Sequence, residues 1–327
     1  MRESVAAVVV TYNRSRLLLE CLDALLLQSR PVDKIVLIDN ASSDDTSAAL
    51  ESKGYLTHSK IVYTRLNSNT GGAGGFYEGM KKAYESGFDW IWVMDDDAEP
   101  YHDALERMEP SFSIRNIGGV ANLTIGLDGL PQPEHRGWLD LHSSKQRSHR
   151  PVDARDLAKN IEITFASFVG LAVHRSAIEQ AGLPKREFFI KGDDLEYCVR
   201  LAALGPLILV PDSKIRHKDG VSANYERRRR FGYESNRVPI DKLWLNYFSL
   251  RNALWIRRQH VGPGIAARFA ARQYIRYVLG ILVFDSHRFV RSRFYWNAIT
   301  DAWSGVFDNE KPRRLTRIAP AIAKPQK

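Results

Sequence analysis

The sequence WIWVMDDDAEP, residues 90–100, joins an apolar run directly to three consecutive aspartates. The continuous run from Trp90 to Met94 predicts a buried β-strand. Adjacent carboxylates repel one another and lower both strand and helix propensity, so Asp95, Asp96 and Asp97 are costly at the end of such a strand. Their presence there indicates that the three charges have a chemical use.

One such use is to bind a divalent cation, because carboxylates just beyond a strand end can face the same ion. Mg²⁺ and Mn²⁺ prefer oxygen ligands and often bind through one or two carboxylates plus the phosphates of a substrate. The alternatives are a solvated acidic turn, or a cap for the helix predicted in PYHDALERM, residues 100–108. Neither explains three carboxylates after so apolar a strand, and we therefore expect a Mn²⁺ or Mg²⁺ site.

Upstream of this stretch, apolar segments that predict strands alternate with segments that have helical spacing. The predicted strands are residues 5–12, 33–40, 60–66 and 90–97, and the predicted helices are residues 15–29, 43–52 and 74–87. Ser15 is the expected cap of the first helix. Strict alternation implies βαβ units, and the fold class is therefore α/β, a Rossmann-like, mostly parallel sheet with flanking helices. Continuously apolar strands indicate a sheet that is covered on both faces.

Polar residues follow each of the four predicted strands. In a parallel sheet the carboxyl ends of the strands share one edge, where ligands bind. We therefore expect these groups to converge: Thr11, Asn13 and Arg14 after the first strand, Asp39 after the second, the glycine-rich loop NSNTGGAGG (residues 67–75, with Asn69, Gly71 and Gly72) after the third, and the aspartates after the fourth.

A second acidic group occurs in FFIKGDDLEYCVRLAALG, residues 188–205. An apolar run, expected to be a strand, enters a Gly-Asp-Asp turn and an amphipathic helix. Asp193 or Asp194 can cap that helix and Glu196 adds favourable charge to its first turn, but one cap does not need three acids. A partly buried carboxylate near a helix N-terminus can accept a proton. His217 ends the next predicted strand and is a candidate metal ligand.

The chain has 327 residues, a formal net charge of +9 and two cysteines far apart in sequence, which predict neither a disulfide framework nor a zinc site. The N-terminus does not have the pattern of a signal peptide, and no run reaches the ~18 apolar residues of a membrane span. We therefore expect a cytoplasmic protein. Its basic character suggests an anionic partner, but the acidic cluster and the lack of a recognition motif argue against nucleic acid.

The chain is expected to divide into a catalytic domain (residues 1–220), a basic loop (221–240) and a helical region (241–327) in which aromatic and arginine residues interleave. That composition suits a helix at an anionic membrane surface. The alternative is a bundle that packs on the catalytic domain or on a second subunit in a homo-oligomer. Residues 124–160, rich in Gly, Pro, His and Ser, are expected to be irregular structure over the site.

Taken together, VVVTYNR, VLIDNASSDDT, NTGGAGGF, WVMDDDAEP and FFIKGDDLEYCVRL resemble the ordered motifs of inverting family 2 glycosyltransferases with the GT-A fold. The resemblance extends from about Val5 to His217. It is strongest to the bacterial galactofuranosyltransferase and rhamnosyltransferase branch. Galactofuranosyltransferases often carry a tryptophan before the paired aspartates, where this chain has Gly192.

The resemblance implies roles for individual residues. The nucleoside pocket would be lined by Thr11, Asn13, Arg14 and Asp39, and the donor floor would be shaped by Asn69, Gly71 and Gly72. Asp95 and Asp97 would bind the metal with His217, and Asp95 and Asp96 would also contribute to binding the nucleotide sugar. Asp194 would be the general base, with Asp193 and Glu196 orienting the acceptor.

The expected function is metal-dependent, inverting transfer of a sugar from a nucleotide sugar to a lipid-linked or cell-surface glycan, at the inner face of the cell membrane. UDP-galactofuranose is the preferred donor and dTDP-rhamnose the alternative. More distant alternatives are a nucleotidyltransferase, which usually has a glycine-rich basic loop where this chain has TYNRSR, and a non-catalytic sugar-binding protein.

Overall fold

The computed structural model describes residues 2–146, 148–218 and 225–317. These residues form two compact units. The first contains residues 2–141 and 148–218, and the second contains residues 142–146 and 225–317.

The first unit alternates strands and helices over its first half and contains shorter elements over its second half. In chain order these are β1 (Val5–Thr11), α1 (Ser15–Leu26), β2 (Lys34–Asp39), α2 (Thr46–Ser52), β3 (Ile61–Arg65), α3 (Gly71–Glu85), β4 (Trp90–Asp95), β5 (Ala98–Pro100), α4 (Ala104–Met108), β6 (Gly119–Ile125), β7 (Arg136–Leu139), β8 (His149–Pro151), β9 (Ile161–Ile163), β10 (Phe165–Ala166), β11 (Leu171–His174), α5 (Arg175–Ala181), α6 (Asp193–Ala202) and β12 (Leu207–His217).

The main sheet has the strand order β3-β2-β1-β4-β11-β6-β12-β5, and β9 also pairs with β12. Strands β3, β2, β1 and β4 are parallel neighbours, as are β6 and β12. Strand β11 is antiparallel to both β4 and β6, and β5 and β9 are antiparallel to β12. The predicted α/β class with a mostly parallel sheet is confirmed, and the antiparallel strands are its departure from a purely parallel sheet.

Strand β1 is covered on both faces, as its continuous apolar sequence predicted. Successive side chains of a strand point to opposite faces. Val5, Ala7 and Val9 belong to the hydrophobic cluster that contains the buried face of α1 (Leu18, Cys21, Leu22 and Leu25). The intervening Val8 and Val10 face α3. This double burial fixes the register of the central strands and therefore the position of their carboxyl ends.

The glycines of residues 71–79 allow α3 to lie close against β1. An added Cβ on Gly75 would overlap with Val10 Cγ1, and one on Gly79 would overlap with Val8 Cγ1. The sequence predicted a glycine-rich loop before a helix beginning at Gly74. Instead, α3 begins at Gly71, and two of its glycines, Gly75 and Gly79, serve helix–strand packing.

Four local expectations are wrong. The FFI run is not a strand, because residues 186–188 form a 3₁₀ turn and Phe189 follows at positive φ. Residues 124–160 are not all irregular, because β7 pairs with both β8 and β10 in a three-stranded sheet. Ser15 is the first residue of α1 rather than its cap, and α6 is preceded by Gly192 in a left-handed conformation rather than capped by an aspartate.

The second unit contains a hairpin followed by helices. Its elements are β13 (Glu226–Arg230), β14 (Tyr233–Arg237), α7 (Trp244–His260), α8 (Pro263–Phe284), α9 (Arg288–Ser304) and α10 (Lys311–Thr316). The predicted basic loop of residues 221–240 is corrected in its described part, where β13 and β14 pair. Helices α7, α8 and α9 share a hydrophobic core. Among the described helices, none has the length and apolar character that crossing a bilayer requires.

Two glycines of α3 should respond in opposite ways to an added methyl group. Gly75→Ala should lower the free energy of unfolding by about 1–3 kcal/mol, because the stiff side chain of Val10 blocks its Cβ. Gly72→Ala meets no atom within 4 Å and should stabilise by up to about 1 kcal/mol through helix propensity. Denaturant unfolding of both variants tests this, and equal effects would contradict the packing role.

Candidate active site

The predicted convergence of the strand ends is present. Because β1 pairs in parallel with β2 and β4, Thr11, Asp39 and the aspartates after β4 lie at one edge of the sheet. Thr11 Oγ1 donates to Asp96 Oδ2 at 2.7 Å, and the backbone N–H of Asn40 donates to the Thr11 carbonyl at 2.9 Å. These bonds tie the ends of three strands together.

Asn13 joins the loop after β1 to the loop after β2. Its side-chain oxygen accepts from the backbone N–H of Ser43 at 2.6 Å, and its own N–H donates to Ser42 Oγ at 3.0 Å. Asp39 is buried at the end of β2, where Oδ1 accepts from the Ser42 N–H and Oδ2 accepts from the Tyr63 hydroxyl. The pKa of Tyr63 rises to about 12 because burial and the Asp39 carboxylate both disfavour the phenolate.

Asn69 and Gly71 shape the entrance to α3. Asn69 Oδ1 accepts from the Gly71 N–H at 2.8 Å and from the side chain of Asn40 at 3.2 Å. Gly71 has φ +73°, and an added Cβ would overlap with the carbonyl group of Phe189. The Ala73 N–H donates to that carbonyl at 3.0 Å. The first turn of α3 therefore holds the segment that leads into Asp193 and Asp194.

The three consecutive aspartates have three different environments. Asp96 and Asp97 are buried, whereas Asp95 is partly exposed. Burial raises the pKa of Asp96 to about 6, although the Thr11 hydroxyl and Arg14 oppose the shift. Burial, together with Asp97, Asp96 and Asp193, raises the pKa of Asp95 well above its ordinary value. Unlike its neighbours, Asp97 is stabilised in its charged form.

Asp97 contacts two cationic or potentially cationic groups. Arg14 Nη1 lies 2.7 Å from Asp97 Oδ2, and His217 Nε2 lies 3.3 Å from Asp97 Oδ1. Burial disfavours the carboxylate, but His217 and Arg14 outweigh it and hold the pKa of Asp97 below its ordinary value. The pKa of Arg14 is raised, because Asp96, Asp97 and Asp95 outweigh the effect of its own burial.

The three predicted metal ligands are not assembled into a complete protein site. In the part of the chain that the structure describes, no group of three or more His, Cys, Asp and Glu side chains is arranged to hold a metal ion. Asp97 and His217 are together, and Asp95 is electrostatically coupled to Asp97. The buried Asp97 Oδ1 has no hydrogen-bond donor among the described residues, since the His217 contact lacks hydrogen-bond geometry. An oxygen of this kind fits a cation that the substrate helps to bind.

Asp193 and Asp194 are the first two residues of α6. Burial and the neighbouring Asp194 raise the pKa of Asp193 to about 7. Burial also raises the pKa of Asp194, even though its Oδ1 accepts from the Leu195 N–H at 2.7 Å. Asp193 is buried, whereas Asp194 is partly exposed. Since Asp193 raises the pKa of Asp95, the two acidic groups lie close enough to interact.

Glu196, the third acid of this group, has a structural partner. Its buried carboxylate contacts Arg200 through both oxygens, at 3.0 Å and 2.7 Å. Arg200 also donates to the Leu183 carbonyl at 3.1 Å and to the carbonyl of Ala181. Through these bonds of Arg200, the ion pair holds α6 against the end of α5. The predicted acceptor-orienting role of Glu196 stays a prediction.

Residues of the 124–160 segment that sequence analysis left without a role also reach this region. The His135 ring contacts the His217 ring edge-on at 4.8 Å, and Gln132 Oε1 lies 3.2 Å from His217 Nδ1. Burial, together with His217 and Arg136, lowers the pKa of His135 to about 3, which keeps the ring neutral. The only sequence signal was the pair His135–Arg136 at the start of a short aromatic strand.

Arg136 is fully buried and donates to backbone carbonyls rather than to a carboxylate. Its Nε donates to the Asn122 carbonyl at 2.6 Å and its Nη1 to the His135 carbonyl at 2.7 Å. Burial lowers the pKa of Arg136 to about 9, although Cys198 and Asp194 oppose the shift. Arg136 therefore favours the charged form of Asp194, the proposed proton acceptor.

The raised pKa of Asp193 predicts how the stability of the ligand-free protein depends on pH. Its folded-state value of about 7 exceeds the ordinary value of about 3.9, so its stabilising effect is complete below pH ~4 and is lost as pH rises through 7. Asp193→Asn stays neutral and should therefore melt a few degrees higher than the wild type at pH 8. Its advantage should grow from pH 5 to pH 7 and then level off.

Thermal melts across this pH range test the prediction, with Asp212→Asn, which removes an exposed carboxylate, as the control. A constant difference between Asp193→Asn and wild type at every pH would contradict it.

Comparison with known proteins gives relatives that match most of the chain. Galactofuranosyltransferase GlfT1 of Mycolicibacterium smegmatis is 32% identical over 211 residues, which are 62% of this chain and 67% of that protein. GlfT1 of Mycobacterium tuberculosis is 31% identical over 212 residues, 63% of this chain and 66% of that protein. dTDP-rhamnosyl transferase RfbF of Shigella flexneri is 24% identical over 267 residues, 80% of this chain and 82% of that protein. The matched region thus spans about two thirds of the mycobacterial relatives.

Solved structures share the fold. The crystal structure of GalNAc-T7 with UDP, GalNAc and Mn²⁺ has a TM-score of 0.54 at 15% identity, covering 77% of this chain and 51% of that one. S. aureus TarS 1–349 has a TM-score of 0.55 at 14% identity, covering 96% of this chain and 90% of that one.

The profile of Glycosyl transferase family 2 matches residues 6–182, more than half of the chain. The match includes strands β1 to β4 and the polar residues that follow them. With the GT-A fold of the structural neighbours, it establishes that this chain belongs to glycosyltransferase family 2 and is a glycosyltransferase.

Proposed function

We propose that this chain is a metal-dependent, inverting glycosyltransferase that transfers galactofuranose from UDP-galactofuranose to a lipid-linked or cell-surface glycan. The observation that carries the proposal is the charge imbalance at the sheet edge, where Asp95, Asp96 and Asp97 are grouped around the guanidinium of Arg14 and Asp193 interacts with Asp95. The names of the two mycobacterial relatives support the choice of donor.

The nucleotide would bind over the ends of β1 and β2. Asp39 is already fixed by Ser42 and Tyr63, so its carboxylate is pre-organised to accept from the base or ribose. Thr11, Asn13 and Asn69 position these loops through the hydrogen bonds described above. Gly71 gives room to the Phe189 carbonyl, and Gly72, which has open space beside it, leaves the start of α3 without a side chain that would keep a ligand from the backbone.

Divalent cation binding would involve Asp95 and Asp97, with His217 beside Asp97. Two carboxylates and the substrate's phosphates commonly complete such a site, which is consistent with the incomplete set of protein ligands. A bound Mn²⁺ or Mg²⁺ would neutralise charge on the diphosphate leaving group. Arg14 already contacts Asp97 and would share that carboxylate with the cation.

Asp194 is the proposed general base. It is the more exposed of the two aspartates of α6, and its raised pKa brings it nearer to the operating pH, as proton transfer requires. In a single displacement, the acceptor hydroxyl oxygen attacks the anomeric carbon and gives its proton to Asp194. The bond between that carbon and the phosphate oxygen breaks, UDP leaves with the electron pair, and the configuration inverts. Asp193, which interacts with Asp95, would orient the acceptor.

Removing the proton acceptor should reduce the rate without weakening donor binding. Asp194→Asn should lower kcat by ~10²–10⁴-fold and leave the UDP dissociation constant nearly unchanged, because the amide keeps the shape of the side chain. Steady-state kinetics and UDP titration measure the two effects. If Asp193→Asn is the inactive variant and Asp194→Asn is active, the base is the neighbouring residue.

The donor sugar is tested by slow hydrolysis without acceptor. The panel contains UDP-galactofuranose, UDP-galactopyranose, UDP-glucose, UDP-N-acetylglucosamine and dTDP-rhamnose, and the furanose donor should be consumed fastest. Uracil and thymine differ by one methyl group, which discriminates by only ~1–3 kcal/mol, so the base alone supplies little of the selectivity between these donors. Preference for dTDP-rhamnose would favour the activity named for the Shigella relative.

The second unit is proposed to bind the inner face of the cell membrane, which would place the enzyme in the cytoplasm. Helix α8 exposes Ile275, Leu279, Leu282 and Val283 at helical spacing, with exposed fractions of 58%, 59%, 51% and 39%. Arginines on the same helix, including the exposed Arg272, would attract anionic lipid. A second copy of the chain is the competing occupant of this face.

Flotation with vesicles tests the membrane proposal. The double variant Leu279→Asn and Leu282→Asn should weaken binding to phosphatidylglycerol vesicles at least tenfold, because each buried leucine contributes about 1.5–3 kcal/mol. The control replaces Leu27 and Leu127 of the first unit, which are 68% and 72% exposed. Binding should also weaken with salt. Equal flotation of both double variants would contradict the proposal, and a dimer lost only in the first would assign the face to self-association.

A further inference from the structure

The second unit contains a polar cavity of about 200 Å³. Its lining includes three arginines, Arg237, Arg276 and Arg291, and no acidic residue among the described lining residues. Asn246 and Tyr295 also line it, and the Asn246 amide lies 3.3 Å from the Tyr295 hydroxyl. A water molecule takes about 30 Å³ of liquid, so the cavity has room for a phosphate or diphosphate group. The cavity is separate from the residues proposed for donor binding, all of which belong to the first unit.

The positive charge around the cavity exceeds the negative charge. Asp285, which lies behind the lining, forms an ion pair with Arg237 and lies 3.9 Å from Arg291 and 3.8 Å from Arg228. One buried carboxylate thus serves three guanidinium groups, and within the described part of the chain a second acidic partner, Glu226, is present only for Arg228. Arg276 donates to the side-chain oxygen of Gln146 and is paired with no carboxylate among the described residues.

Arg291 has an unused donor at this cavity. The residue is 2% exposed, and its Nη1 donates to the Val238 carbonyl at 3.0 Å. Its buried Nε has no hydrogen-bond partner in the part of the chain that the structure describes. A buried guanidinium N–H without an acceptor is costly, and the cost is removed if an anion accepts from it.

The residues that form the walls of the cavity are held in place by packing. Tyr277 and Tyr295 stack with ring centroids 3.9 Å apart, which fixes the helices α8 and α9 that carry them. Gly280 on α8 leaves space for Arg237, because an added Cβ would lie 2.6 Å from Arg237 Nη1. Two arginines of the lining are therefore held by packing and by Asp285, so that their donors are pre-organised.

We infer that this cavity is a binding site for a phosphate group, as a phosphomonoester, phosphodiester or diphosphate. Guanidinium groups present planar, paired donors that match phosphate oxygens, and three of them converge here without an acidic residue in the lining. The amide of Asn246 adds a neutral donor. The phosphate could belong to a lipid headgroup or to a free phosphate compound, since both present the same oxygens.

The first test compares two arginines one turn apart on α8. Arg276→Gln should weaken the binding of inorganic pyrophosphate by about tenfold, measured by calorimetry on the full chain in EDTA at constant ionic strength. Arg272→Gln removes an exposed arginine that does not line the cavity and should bind as the wild type does. UDP titration with Mn²⁺ in both variants checks the first unit separately, so that failure of this site and failure of the proposed donor site are distinguishable.

A second variant separates loss of phosphate binding from loss of folded structure. Asn246→Asp keeps the side-chain shape but supplies a carboxylate that faces the arginines. In the absence of phosphate it should melt at or above the wild-type temperature, and it should lose the rise in melting temperature that pyrophosphate gives the wild type. A variant that remains folded and yet loses this response reports the charge of the cavity rather than its integrity.

Two further arms identify the source of the phosphate. Arg272→Gln removes only a surface charge from the membrane-facing helix, so binding to phosphatidylglycerol but not phosphatidylcholine vesicles that Arg276→Gln weakens clearly more than Arg272→Gln would assign the site to a lipid headgroup. Pyrophosphate binding with no effect of Arg276→Gln on vesicle binding would assign it to a free phosphate compound. The inference is overturned if neither ligand binds, or if Arg276→Gln and Asn246→Asp bind both ligands as tightly as the wild type.

Discussion

The repulsion among carboxylates at the edge of the main sheet is the constraint on which the site depends. Asp96, Asp97 and Asp193 are buried, Asp95 lies among them, and Arg14 is the cation that contacts Asp96 and Asp97. Burial and mutual repulsion raise the pKa of Asp95 and Asp193 above their ordinary values. Charges held in this way favour the binding of a cation, because a cation removes both the repulsion and the cost of desolvation.

Apolar packing of the strands and of α3 brings these charges together. Strand β1 is buried on both faces, and the glycines of α3 bring that helix close to Val8 and Val10. The same helix begins at Gly71, where the absence of a side chain lets Phe189 approach and its carbonyl accept from Ala73. One close contact therefore positions the segment before α6, and with it Asp193, relative to the ends of β1 and β4. The sheet positions the aspartates that follow β4, and this contact positions the aspartates at the start of α6.

The sequence predicted the first half of the catalytic fold well, because its signals are local. Continuous apolar runs identified the strands, and the parallel rule placed Thr11, Asp39 and the aspartates at one edge without knowledge of tertiary contacts. The family resemblance then supplied order and spacing for the whole set. The family match makes the chain a glycosyltransferase and removes the nucleotidyltransferase and non-catalytic alternatives.

The remaining features depend on contacts between distant segments, which periodicity cannot show. FFI has the composition of a strand, but its first residue ends a 3₁₀ turn. The carbonyl of the next residue, Phe189, accepts a hydrogen bond from the start of α3. Glycine-rich sequence indicated a loop, yet Gly71 to Gly75 begin a helix, in which Gly71 lies against Phe189 and Gly75 against Val10 of β1. The sequence assigned no role to Arg136 or His135. In the structure Arg136, at the start of β7, donates to backbone carbonyls, and the neighbouring His135 contacts His217.

The central claim is that the carboxylates at the sheet edge bind the nucleotide diphosphate through a divalent cation. Calorimetric titration of UDP with and without Mn²⁺ tests it most directly, in the wild type, in Asp97→Asn and in Asp212→Asn as the control. We expect Mn²⁺ to tighten UDP binding by at least tenfold in the wild type and the control, and to have little effect in Asp97→Asn, since one lost charge-assisted contact is worth about 1.5–3 kcal/mol. UDP affinity that is the same in Mn²⁺ and in EDTA for the wild type would contradict the claim.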